Sequence, residues 1–129
     1  MIEVTAAIIR NEKNEIFICQ RGPGGSCAHL WEFPGGKREP NETLEACLLR
    51  ECREELNIDI AIDRFFDEIV YAYPDKTVHL FFFLAHLAAG GPELTVHADM
   101  AWAKPEHLRE YAFCPADAPI LEQLIVSRL

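Results

Sequence analysis

Gly36-Lys37-Arg38-Glu39-Pro40-Asn41-Glu42, seven further residues, and then Arg50-Glu51-Cys52-Arg53-Glu54-Glu55-Leu56-Asn57-Ile58 form the segment whose reading decides the fold. A Gly-rich turn leads into a run that reads as a helix over Thr43 to Leu56. Thr43 is a plausible N-cap, and Glu45 lies in the first turn, where the helix dipole favours an anion. Leu49, Cys52 and Leu56 recur at i, i+3, i+7 and are expected to face the core. At 100° per residue, Glu51, Glu54 and Glu55 share roughly 100° of the helix surface, mainly away from that stripe.

Three carboxylates so placed repel one another. They also sit in the last turns, where the macrodipole disfavours anions by about 0.3–1 kcal/mol each. A solvated charged face, with Arg50 and Arg53 as surface ion pairs, is one reading. The other is a hard divalent cation, which reverses the balance: Mg²⁺ takes oxygen ligands from a few carboxylates and completes its shell with substrate phosphates.

The elements on either side place this helix in an α/β chain. Ile2 to Arg10 and Glu15 to Gln20 read as strands around the polar turn Asn11 to Asn14, and are expected to form a hairpin. Arg21 to Leu30 reads as loop. Trp31-Glu32-Phe33 is a short extended piece stopped by Pro34-Gly35-Gly36. Phe65 to Tyr73 and Thr77 to Leu87 form a second expected hairpin about Pro74-Asp75-Lys76. Met100 to Ala103 is a short strand, Pro105 to Glu110 a short helix with Pro in its first turn, and Pro119 to Leu129 an amphipathic C-terminal helix. The expected architecture is a mixed sheet with helices packed on it, in one domain spanning residues 1–129.

Composition narrows the function. Half of the 129 residues are hydrophobic, enough for a real core, and the net charge of −9 disfavours nucleic-acid polymers and anionic membranes. Phosphate binding then needs local positive charge from Lys, Arg or a metal. Cys19, Cys27, Cys47, Cys52 and Cys114 include no CxxC, which argues for a reducing compartment, and no disulfide framework is expected. Structural zinc is not expected either, because His29 and His97 supply no finger-like spacing. There is no leader-like N-terminus and no run long enough to span a membrane, so the expected location is the cytoplasm.

The segment resembles the Nudix family, whose box is written GX5EX7REUXEEXGU, with U a bulky apolar residue. Gly36, Glu42, Arg50, Glu51, Glu54, Glu55 and Ile58 match, and Cys52 fills the first apolar position. Asn57 stands where the box has Gly; Asn also tolerates the left-handed conformation of a helix C-cap. Ala7 to Glu12, Glu15 to Ile18, Glu32 to Lys37 and Pro74 to Lys76 are similar to the MutT-like branch. The resemblance implies the Nudix α/β/α sandwich. It also implies Mg²⁺-dependent hydrolysis (Mn²⁺ as substitute) between the α and β phosphates of a nucleoside triphosphate, by a monomer or homodimer.

Roles follow from the same resemblance. Glu51, Glu54, Glu55 and the Gly36 carbonyl are the implied metal ligands, and Glu51 also orients or deprotonates water. Arg50 is expected to fix a carboxylate through a bidentate pair. Arg21 and Lys37 are the implied phosphate contacts, while Arg38 and Lys76 are either phosphate contacts or solvated cations. Phe33 is either a rest for the base or a core residue, and Asp117 either reads the base or caps the C-terminal helix. An ionised Asp only accepts hydrogen bonds, where the MutT-like position carries Asn. It suits the N–H groups of an oxidised guanine or the amine of cytosine, and Pro115-Ala116-Asp117-Ala118-Pro119 is similar to the CTP pyrophosphohydrolase branch. Relatives often carry Glu six residues before Trp102; here the position is Val96, with Glu93, His97 and Asp99 as possible substitutes. The leading expectation is a house-cleaning hydrolase of 8-oxo-dGTP, serving DNA repair through the nucleotide pool. CTP or a modified dCTP is the alternative substrate, and a nucleotide-sensing domain without catalysis is the alternative class.

Overall fold

The computed structural model describes residues 1–126; the last residues of the expected C-terminal helix, 127–129, lie outside them. Strand β1 (Ile2–Ile9) lies between β4 (Gly35–Lys37), antiparallel to it, and β6 (Thr77–Ala89), parallel to it; β5 (Asp59–Ala72) completes a four-stranded mixed sheet in the order β4-β1-β6-β5. A second, antiparallel sheet has the order β3-β2-β7, built from β2 (Ile16–Gln20), β3 (Trp31–Glu32) and β7 (Asp99–Ala103).

Side-chain alternation along the central strands divides the core in two. Ala6 and Ile8 of β1, Ile16 and Ile18 of β2, and Leu80, Phe82 and Leu84 of β6 face one cluster, closed by Ile120, Leu121 and Leu124 of helix α2 (Ala118–Val126). Ala7, Ile9, Phe17, Cys19, Phe83 and Ala85 face the other, closed by Leu48, Cys52 and Leu56 of helix α1 (Leu44–Leu56). The result is the α/β/α sandwich that the resemblance implied. Apolar positions on both faces of β1 and β6 explain their nearly unbroken hydrophobic runs, since both faces are covered.

Four expectations are corrected. β1 and β2 do not form a hairpin: beyond the single bridge Arg10–Ile16 they part into different sheets, because both edges of β1 are taken by β4 and β6. Asn11 closes the turn between them by accepting from the Lys13 and Glu15 amides. Gly35-Gly36 does not merely stop an extended piece but belongs to β4, and a Cβ on Gly35 would collide with the Thr5 carbonyl of β1. Leu49 is not a core residue. It is 38% exposed, and the buried face of α1 runs through Cys47, Leu48, Cys52 and Leu56. Finally, β5 starts at Asp59, directly after the α1 cap, and not at Phe65; the expected short helix Pro105–Glu110 is present as a 3-10 helix. The β5–β6 hairpin itself is present, with register shifts that bend the long edge strand β5. Among the described residues, no helix is long and apolar enough to cross a membrane.

Candidate active site

The two ends of α1 are fixed locally. Thr43 Oγ1 accepts from the Ala46 amide at 3.0 Å, which caps the start. Asn57 takes the left-handed conformation at φ 56°, ψ 42°, and its amide donates to the Arg53 carbonyl. The Asn57 side chain also donates to Glu93 at 2.6 Å. Between these caps the helix lies against β4, and a Cβ at Gly36 would meet both Glu51 carboxylate oxygens, at 2.6 and 2.7 Å. Glycine at this position is therefore what lets the carboxylate reach the strand. Thr5, opposite Gly36 in β1 and almost fully buried, donates to the Gly36 carbonyl at 3.3 Å.

Arg50 organises the acidic groups. Its Nε and Nη2 grip both oxygens of Glu42 at 3.1 and 2.7 Å, the expected bidentate pair. Nη1 touches Glu51 at 3.1 Å and Glu54 at 3.2 Å, and Nη2 reaches the Lys37 carbonyl. One guanidinium nitrogen thus gathers two of the three helix carboxylates. The grip of Arg50 holds the Glu42 carboxyl down at about 2. Burial pushes Glu51 upward against the pull of Arg50. Burial first, then the neighbouring Glu51, raises Glu55 to about 7, with His97 opposing.

A cleft of about 430 Å³ opens beside this helix, a size suited to a small ligand. Glu51, Glu55, Gly36, Lys37, Arg21, Phe33, Lys76 and Asp117 all line it. Glu54 does not; it is 58% exposed and turned toward Arg50, and Arg50 also lies outside the lining. Arg38 is committed elsewhere, to Glu3 and the Glu42 carbonyl. Lys37 and Lys76 have no ion-pair partner among the described residues.

Phe33 holds both of its expected places: it is buried against Phe82 and Phe113 and also reaches the cleft wall. Asp117 is 3% exposed, in the short 3-10 turn Pro115–Asp117 before α2. Burial, then the nearby Glu32, pushes its carboxyl well above the usual range, while the Phe33 backbone amide and Arg21 pull the other way. Its amide donates to the Cys114 carbonyl at 3.0 Å, which seats the residue in that turn.

Of the three residues considered in place of a Glu at 96, Glu93 is held by Asn57 and Asp99 by the Met100 amide. Only His97 turns inward, bonding Glu32 at 3.0 Å. Glu32, on whose other oxygen Arg21 Nη1 sits at 3.1 Å, is a cleft residue that sequence reasoning passed over. Its sequence signals are a charge between the aromatics Trp31 and Phe33 and its place at the head of the MutT-like stretch Glu32 to Lys37.

Paired acidic groups against a Gly strand, in a cleft that also carries unpaired lysines, define an enzyme built to act on phosphate-bearing substrates. The family model described as NUDIX domain matches residues 5–123, and the chain belongs to the Nudix family, in its MutT-like branch. It is 35% identical over 128 residues to the CTP pyrophosphohydrolase of Escherichia coli K12, covering 99% of this chain and 94% of that one. To the 8-oxo-dGTP diphosphatase of the same organism it is 35% identical over 123 residues, covering 95% of each. A MutT structure from work on Aliivibrio salmonicida and Vibrio cholerae superposes with a TM-score of 0.81 at 31% identity, covering 98% of this chain and 97% of that one. The protein is a phosphohydrolase of this family.

Proposed function

We propose that the protein is a Mg²⁺-dependent pyrophosphohydrolase that converts a nucleoside triphosphate and water to the monophosphate and pyrophosphate, with 8-oxo-dGTP as the leading substrate. The observation that carries this reading is that one cleft is lined both by the carboxylates Glu51 and Glu55 beside Gly36 and by Phe33 and Asp117, with Lys37, Lys76 and Arg21. A triphosphate offers a polyanion to the first set and the lysines, and a base to the second.

The donor set fits the cation. Gly36, Glu51 and Glu55 in the cleft supply oxygen only, the preference of Mg²⁺, and Glu54 joins them by turning from Arg50. The raised Glu55 marks a carboxylate poorly accommodated without a counter-charge. When bound, Mg²⁺ supplies phosphate polarisation and a lowered pKa for the attacking water. Glu51 orients that water and takes its proton on the way to solvent. Arg50 keeps Glu51 and Glu54 in place and touches no substrate, and Lys37 with Arg21 holds the phosphates. Cleavage of an oxidised nucleotide before a polymerase can use it places the protein in nucleotide-pool sanitation.

Asp117 opens a second reading, cytosine nucleotides, in its ionised form. Protonated, its carboxyl offers one donor and one acceptor, as Asn does, and fits a guanine edge; ionised, it offers acceptors alone and fits the N–H groups of an oxidised guanine or the cytosine amine. A panel of 8-oxo-dGTP, dGTP, CTP and 5-substituted dCTP, assayed for pyrophosphate with and without Mg²⁺, separates the readings. Asp117→Asn should shift the ratio of kcat/KM between guanine and cytosine substrates by about tenfold or more and leave the metal requirement alone. An unmoved ratio removes Asp117 from base reading. Glu54→Gln should cost roughly 10²-fold in kcat with the fold intact. Near-normal kcat at limiting Mg²⁺ would refute its role, and nucleotide binding by the wild type without any pyrophosphate release would make the domain a sensor.

A further inference from the structure

Behind the carboxylate cleft lies a group of side chains of different chemistry. Cys19 of β2 and Glu32 of β3 stand opposite each other in register. His97 comes from the segment entering β7, held there by the Ala98 amide on the Gln20 carbonyl at 2.9 Å and by the Gln20–Asp99 pairing. All three residues are thus fixed by the backbone ladder of the three-stranded sheet. A sulfur of Cys19, an oxygen of Glu32 and a ring nitrogen of His97 all lie within 4.8 Å of one another. We infer that Cys19, Glu32 and His97 form a second cation site, suited to a borderline-soft transition metal such as Zn²⁺ or Co²⁺ and separate from the oxygen-only ligands of the Nudix helix.

The chemistry of the set carries the inference. One thiolate, one imidazole and one carboxylate are ligands for Zn²⁺ or Co²⁺, and three of them leave a fourth position open. In a tetrahedral zinc site such atoms stand roughly 3.3–3.6 Å apart. His97 Nε2 and Glu32 Oε2 are hydrogen-bonded at 3.0 Å, and that pair opens by a few tenths of an ångström, on the order of the tetrahedral spacing, when both bind one ion. The His97 side chain is only 4% exposed, yet its Nδ1 has no hydrogen-bond partner among the described residues. Ligation by Nδ1 with Nε2–H kept on Glu32, or by Nε2 with the carboxylate as co-ligand, both use atoms now present. Burial, then the nearby Glu32 and Glu55, holds the Cys19 thiol well above its ordinary range, so a bound cation takes the place of its proton. Arg21 is the opposing cation, and it rests on the other Glu32 oxygen, so that carboxylate joins this site to the phosphate-facing guanidinium. Glu32 lines the cleft and offers the ion its way in.

The test is a titration of the metal-stripped full chain with Co²⁺, without Mg²⁺ or nucleotide. The result is therefore independent of the proposed hydrolysis. One Co²⁺ per chain should give a sulfur-to-cobalt charge-transfer band, which carboxylates cannot produce, and Zn²⁺ should bleach it. Cys19→Ser should abolish the band while circular dichroism and melting stay near wild type. His97→Gln should keep a band but need at least about tenfold more Co²⁺. It also serves as the deciding variant if Cys19→Ser does not fold. Absence of the band in the wild type, its survival in Cys19→Ser, or an unchanged titration in His97→Gln would each overturn the site.

Discussion

Gly36 answers two demands at once: it pairs with Thr5 in the sheet and leaves open the space the Glu51 carboxylate fills. Gly36→Ala should therefore displace Glu51 without unfolding the domain, lowering turnover by roughly 10²-fold, because a misplacement near 1 Å costs about that much. Steady-state kinetics beside circular dichroism check this; a variant with wild-type turnover would show that Glu51 does not need its present position. Arg50 is legible in the sequence alone, since a bidentate carboxylate partner is expected and Glu42 supplies it. His97 is readable only as a stand-in for a Glu at 96, and its meeting with Glu32 and Cys19 is not. Spacing rules detect ligands close in sequence, and these three meet only because β2, β3 and the approach to β7 align.

Helix α1 shows how an amphipathic pattern can be placed a step out of phase. Its span and both caps were visible in the sequence, because Thr43 and Asn57 act through local backbone bonds. The buried stripe was readable at Cys52 and Leu56 but not at its third member, since Leu48 and Leu49 are equally apolar and the helix phase is set by the sheet beneath. Leu44, Leu48, Cys52 and Leu56 meet the core at i, i+4 steps, and Leu49 faces outward. Leu48→Ala should cost about 2–5 kcal/mol, as deletion of a buried leucine does, and Leu49→Ala no more than about 0.5 kcal/mol. Urea unfolding of the two variants measures the difference, and equal losses would mean the helix sits differently. Likewise the β5–β6 hairpin was readable from its turn, whereas the expected β1–β2 hairpin failed because β1 spends both edges on strands distant in sequence.

Across the whole molecule, raised acid groups link stability to pH and to metal. Glu51, Glu55 and Asp117 titrate higher folded than unfolded, so the folded state binds more protons between the two values. Metal-free stability must then fall as pH rises, for Glu55 between its ordinary 4.5 and about 7. Glu42, depressed to about 2, works oppositely, contributing above 4.5 and losing that as pH drops toward 2. Melting curves in chelator should decline by a few degrees from about pH 5 to 8, and Mg²⁺ should flatten the decline. A melting temperature that climbs through this range in chelator would contradict the burial of these groups. The parallel pairing of β1 with β6, Ile2 opposite Val78 and Ile9 opposite Ala85, has a further consequence during biosynthesis. At about 5–20 residues per second, the ribosome takes roughly 4–18 s to make the stretch from β1 through β6. For that interval the nascent apolar N-terminus has no parallel partner to dock on, so chaperone holdases have their window on this polypeptide there, before the sixth strand is released from the exit tunnel.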